Sequence, residues 1–194
     1  MLLLGIDTST KICTCSIYDS EAGVIAETSL SVKKNHSNIV MPIVDNLFKI
    51  SDLNIKDIDK IAVAIGPGSF TGVRIALGIA KGLAMALNKG LVAVNELDIL
   101  EAMASDNENE IIPLIDARGE RVYYGVYEGV NNKNIVAPAL LTIDELLEEF
   151  SDKGEFVFVG DCVNLYKERI LENKNFEVTP ACLNSCISRN ACVI

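Results

Sequence analysis

Residues 2–19 read LLLGIDTSTKICTCSIYD, two apolar runs parted by the polar residues 8–11. Short apolar runs bounded by turn-forming residues are strands, so this stretch predicts a β-hairpin over 2–7 and 12–18. The pattern returns in the second half of the chain. Ile6-Asp7 and Ile17-Tyr18-Asp19 have counterparts at one constant spacing in Ile115-Asp116 and Val126-Tyr127-Glu128. A repeat of that length is a duplicated structural unit.

Reading outward, a third strand follows over 24–32, after Glu21-Ala22-Gly23. The apolar period then changes: Ile39, Val40, Ile43, Val44, Leu47 and Phe48 share one face of a helix over 37–50. Ser37 or Asn38 is placed to cap it, and Pro42 to kink its first turns. A buried strand over 61–65 closes at Gly66-Pro67-Gly68, followed by a helix over 71–88, a strand over 91–94 and a helix over 95–103. After the polar residues 106–110 come strands over 111–116, 122–128 and 135–141. Thr142 then caps a helix ending at Phe150, before a strand over 156–159 and a helix over 163–171. This order predicts an α/β protein with two lobes, 1–105 and 106–194, each a mixed sheet with packed helices.

The chain has 194 residues, 49% of them hydrophobic and 23% charged, which excludes a disordered chain. Its net charge of −10 repels phosphate backbones and argues against nucleic-acid binding by this chain alone. The first residues form too short an apolar run for an export signal, so a cytoplasmic location is expected. Residues 73–87, interrupted by Arg74 and Lys81, are expected to fall short of a membrane span. The six cysteines form no C-x-x-C pair and lie far in sequence from His36, the only histidine. They read as reduced thiols, Cys13 and Cys15 as small buried groups on a strand. Zincin and serine-hydrolase signatures are absent, because each needs histidines or an elbow that this sequence lacks.

The glycine-rich segment 66–74, GPGSFTGVR, joins a buried strand to a helix and is placed either to cradle an anion or to make a tight packing turn. It is not a P-loop, since Gly72 is followed by Val73 and Arg74. Asp7 and Asp116 end equivalent strands. Such carboxylates can bind Mg²⁺ for phosphoryl transfer, or each can cap its own turn.

Taken together, residues 4–10 (LGIDTST), 35–38 (NHSN), 66–74 (GPGSFTGVR), 116–118 (DAR), 122–123 (VY) and 160–161 (GD) resemble the TsaB (YeaZ) family. The resemblance implies a duplicated actin-like (ASKHA, RNase H-like) fold. It also implies a non-catalytic scaffold role in making tRNA threonylcarbamoyladenosine, beside a TsaD-like catalytic paralogue and a TsaE-like ATPase. Such a chain would pair with itself when alone, touch tRNA only through the complex, and have no membrane role. It would hold no cofactor strongly, leaving ATP with Mg²⁺ to the partner or the complex interface. Asp7, Ser9, Asp116 and Arg118 would mark a vestigial nucleotide cleft. The alternatives are an actin-like ATPase using Asp7 and Asp116, or a peptidase. Against the ATPase, residues 7–10 carry no glycine to let phosphate approach. Family members usually continue past the point where this chain stops, so the second lobe is expected to lack its last elements.

The helix over 71–88 has one narrow polar stripe of Arg74, Lys81 and Asn88, and its apolar arc is wider than one sheet needs. A second surface should therefore cover it. The flank Ile75, Gly78, Gly82 and Met85, with Val40, Val44 and Leu47 of the preceding helix, is the expected partner interface; the flank Val73, Leu77, Ala80 and Ala84 is the alternative.

Overall fold

The computed structural model describes residues 1–31, 36–104, 107–130, 133–184 and 188–194. Val32 and Asn35 of the sequence reading, with Asp106 and Cys186, lie outside the described residues. The chain divides into two compact units, Met1–Ile99 with Cys186–Ile194, and Leu100–Ser185. The division expected at 105/106 therefore falls earlier. The last residues return to the first unit instead of ending the second.

In the first unit, β1 (Leu2–Asp7), β2 (Ile12–Asp19), β3 (Gly23–Ser31), β4 (Lys60–Ala64) and β5 (Gly90–Val94) form one sheet in the order β3-β2-β1-β4-β5. β1 and β2 pair antiparallel, while β4 runs parallel to both β1 and β5. Between the strands lie α1 (Val40–Ile50) and α2 (Phe70–Leu87), and α3 (Glu96–Ala102) carries the chain onward. The second unit repeats this order. β6 (Glu110–Asp116), β7 (Arg121–Tyr127), β8 (Asn134–Thr142), β9 (Phe156–Gly160) and β10 (Phe176–Val178) are arranged β10-β9-β6-β7-β8, with α4 (Ile143–Phe150) and α5 (Val163–Ile170) packed on the sheet. β10, three residues with Glu177 at its centre, supplies the fifth strand of this sheet.

α1 begins at Val40 after a 3-10 turn, His36–Asn38. Neither Ser37 nor Asn38 caps it: Ile39 occupies the N-cap with no side-chain bond. Pro42 consequently falls in the first turn, where its missing amide leaves no intrahelical bond unmade. Val40, Ile43, Val44, Leu47 and Phe48 are all buried in the core of the unit. α2 meets the sheet differently. Its buried positions Gly72, Ala76, Ala80 and Ala84 form an i, i+4 row of small residues, which lets the helix axis lie close to the strands. Ser69 caps its start and Asn88, in the left-handed conformation, ends it. The final helix, α6 (Ser188–Val193), docks on β1, β2 and β4. The Ser188 amide donates to Thr14 Oγ1 at 2.9 Å, and Arg189 pairs with Glu27 at 3.1 Å.

The core of the second unit is aromatic. Tyr124, Phe150, Phe156, Phe176 and Phe158 make a chain of edge-to-face contacts with centroid separations from 5.1 to 6.0 Å. Thr142 and Glu145 complete a capping box at the start of α4, as the sequence predicts. Replacing Phe158, which is fully buried, with alanine removes one ring of that chain and leaves a cavity. Phe158→Ala should cost about 3–5 kcal/mol, read from urea unfolding followed by circular dichroism.

Candidate functional site

Three places carry the sequence expectations, two in the first unit and one in the second. At the end of β1, the Asp7 side chain turns back and accepts the Ser9 amide at 2.7 Å, fixing the bend of the hairpin. The GPGSFTG segment lies directly on this bend. The Ser69 amide donates to the Ser9 carbonyl at 2.6 Å, and the Thr8 hydroxyl to the Gly72 carbonyl at 2.7 Å. A side chain at Gly72 would overlap the Thr8 carbonyl, and one at Gly68 would reach within 2.6 Å of the Ser9 carbonyl. Two backbones approach here as only glycine permits, which is the tight-packing alternative for this loop. Three amides of this turn are already engaged: Ser69 donates to the Ser9 carbonyl, Gly72 to Ser69 Oγ, and Val73 to the Ser69 carbonyl.

Asp7, Thr8 and Ser9 consequently have essentially no surface. Burial raises the Asp7 carboxyl above its ordinary value, opposed by the bond from Ser9. A second carboxyl, Glu96 at the start of α3, meets it side chain to side chain. Nothing in the sequence joins residues 7 and 96, so this neighbour was not foreseen. His36 has no bond to Nδ1 among the described residues, and burial lowers its basicity.

The second unit repeats the bend at β6–β7. Asp116 Oδ1 accepts the Arg118 amide at 2.8 Å, while the Asp116 amide donates to Asp161 at 3.0 Å. Arg118, Gly119 and Glu120 all have positive φ, from 59° to 64°. Unlike its counterpart this bend is open, bordering a cavity of about 620 Å³ lined by Asp116, Arg118, Glu120, Tyr166 and Arg169 among others. Arg169 is held by Glu120 and Asp144. Arg118 makes no ion pair among the described residues. The structure thus brings Asp7 to Ser9 in one unit and Asp116 to Arg118 in the other. Among the described residues, no three His, Cys, Asp or Glu side chains gather as a metal ion would need.

The third place is the outer face of α2. Phe70 is 68% exposed and Met85 84% exposed, Gly78 and Gly82 are open to solvent, and Ile75 is half-buried. A Cβ at either glycine would meet nothing within 4 Å. Arg74 stacks on the Phe70 ring at 3.8 Å, a pairing the sequence did not announce. Val40, Val44 and Leu47, expected beside this flank, have no exposed surface at all. They point into the core, so the face of α1 left to solvent carries Met41 and Ile50 instead. The alternative flank, Val73, Leu77, Ala80 and Ala84, lies on the side turned toward the unit's own sheet. By length and composition α2 reaches the standard of a membrane span, contrary to expectation, yet its alanine row is packed on the sheet.

A family model described as TsaD, tRNA N6-adenosine threonylcarbamoyltransferase, matches residues 16–193. The tRNA threonylcarbamoyladenosine biosynthesis protein TsaB of Bacillus subtilis is 37% identical over 187 residues, covering 93% of this chain and 81% of the relative. The solved structure of YeaZ from Pseudomonas aeruginosa superposes with a TM-score of 0.78 at 27% identity, covering 100% of this chain and 90% of that one. An activator of 2-hydroxyisocaproyl-CoA dehydratase from Clostridium difficile, solved with ADPNP, matches at a TM-score of 0.56 and 11% identity over 98% and 91%. That last likeness is one of fold alone, the duplicated actin-like fold that the two repeated sheets display. With the GPGSFTGVR loop seated on the first hairpin and the identity extending along nearly the whole chain, the protein belongs to the TsaB (YeaZ) family.

Proposed function

We propose that this chain serves tRNA threonylcarbamoyladenosine biosynthesis as a non-catalytic subunit, offering the outer face of α2 to a TsaD-like paralogue. The observation that carries the reading is that face itself. An apolar helix with Phe70 and Met85 in solvent, and two bare glycines between them, is a surface shaped for another helix. Glycine inside a helix costs up to about 1 kcal/mol against alanine, so two at open positions need a compensating contact. Membership of the TsaB family supports the pathway, and the paired helix face supports a partner.

The closed first hairpin supports the non-catalytic part. A carboxylate that binds Mg²⁺ beside a nucleotide has to be ionised and reachable, whereas Asp7 is fully buried and held toward its neutral form. An acidic chain suits contact with tRNA through the complex, and the same α2 face would serve a homodimer when the partner is absent. A TsaE-like ATPase completes the assembly in this reading, with any ATP and Mg²⁺ held outside this chain, in the cytoplasm and away from membranes.

Expression in cells lacking TsaB tests the reading, which fails if the tRNA modification is not restored. Gly82→Gln places a long side chain on the open flank. It should leave thermal unfolding of the isolated chain nearly unchanged while weakening capture of the TsaD-like subunit at least tenfold. An unaltered complex in sedimentation would remove this flank from the interface. Leu47→Ala should do the reverse, costing about 2–5 kcal/mol of stability through a core cavity while sparing association of the folded fraction.

A further inference from the structure

We propose that Arg74 and Lys81 select what covers the outer face of α2: a helix with two acidic side chains spaced two turns apart, in preference to a second copy of this chain. The inference rests on the function proposed for that face and specifies the chemistry of its partner. The protein has 27 acidic residues, yet from Lys60 to Asn95 its only charged residues are the cations Lys60, Arg74, Lys81 and Lys89. The whole of α2 falls inside that stretch. An acidic chain thus presents one helix on which every full charge is positive.

The stability of α2 itself does not account for these two cations. A helix pairs its own charges at a spacing of three or four residues, and no acid lies at that spacing from Arg74 or Lys81. The first turn of α2 has no acid and its last no base, so its charges do not follow the helix dipole either. Both side chains are exposed, and among the described residues neither joins an ion pair. Arg74 rests instead over the exposed Phe70 ring, which keeps its guanidinium at the surface.

Their position makes them selective. Gly78 lies one turn from each on the same exposed face, and Gly82 follows Lys81 directly. A helix seated on these open glycines comes close enough to set its side chains against both cations. Covering a cation strips it of water, which costs free energy unless an anion takes the water's place. Two carboxylates about 10 Å apart along the incoming helix meet both, the rise of two turns that also parts Arg74 from Lys81. A second copy fits less well, because a two-fold interface sets the same face against itself, cations on cations. α1 offers no remedy, since its exposed Asp45 is taken by Lys49 at 2.6 Å. A phosphate backbone would answer the charge but leave the glycines and Met85 unpacked, and the net charge of −10 opposes it.

Charge reversal on the full chain tests this. Lys81→Glu keeps a good helix former at an exposed position, and Arg74→Glu reverses the other end of the stripe. At low salt each should weaken capture of the TsaD-like subunit about tenfold or more, a loss that shrinks to about threefold or less in about 0.5 M NaCl. A tagged Lys81→Glu chain should also capture the parent chain more tightly than a tagged parent does. Capture of the TsaD-like subunit unchanged by both reversals, under conditions where Gly82→Gln weakens it, overturns the proposal and leaves the face in the interface. Should Gly82→Gln have no effect either, the function proposed for the face fails and this inference with it. Parent captured by parent as tightly as by the variant overturns the preference over a second copy. Binding of unfractionated tRNA to the isolated parent, lost in both variants, also overturns the proposal, because the stripe would then serve phosphate.

Discussion

The first unit hangs on one close approach, the backbone of residues 8–9 against that of 68–72. Two hydrogen bonds join them, Ser69 to the Ser9 carbonyl and Thr8 to the Gly72 carbonyl, and neither survives a side chain at the glycines. That contact decides where α2 begins. Ser69 is then both the anchor to the hairpin and the N-cap, and the helix leaves at a height where only Gly72, Ala76, Ala80 and Ala84 fit beneath it. Small residues inward leave larger ones outward. The exposure of Phe70 and Met85 is thus the far consequence of packing a glycine on a carbonyl.

This chain of causes also explains how far the sequence could be read. The order of strands and helices was legible because period and turn residues report local conformation: the Thr142 capping box and the repeated hairpins are where they should be. The width of an apolar arc is equally local, but which part of it faces the core is not. α1 hides Val40, Val44 and Leu47 because large side chains fill its gap to the sheet, while α2, held closer, turns alanines inward. Alanine is too weakly apolar to advertise that role, so the inner and outer faces of the two helices could not be told apart by pattern alone. The open positions of Gly78 and Gly82 carry a different signal: glycines in a helix interior are costly wherever they occur.

What stayed hidden joins residues remote in sequence. The contact between Asp7 and Glu96 joins the end of β1 to the start of α3, which follows a strand two places away in the sheet. The return of α6 to Thr14 and Ser16 is another such pairing. Buried polar groups pair through specific geometry rather than through pattern, and sequence spacing holds no trace of it. β10 escaped because three residues with a central glutamate make no run.

The two units show how one turn diverges under duplication. Asp7 and Asp116 make the same bond to the amide two residues on, so the bend itself asks for aspartate at both places. What differs is the loop that follows the equivalent parallel strand. After β4 comes the glycine segment, which descends on the bend and seals it; after β9 the chain passes through Gly160 and Asp161, whose carboxylate takes the Asp116 amide and leaves the Arg118 side open. An aspartate at a strand end is therefore weak evidence for catalysis in this fold. The conformation needs it in either case, and the residues that decide whether chemistry can reach it are the ones that cover the turn.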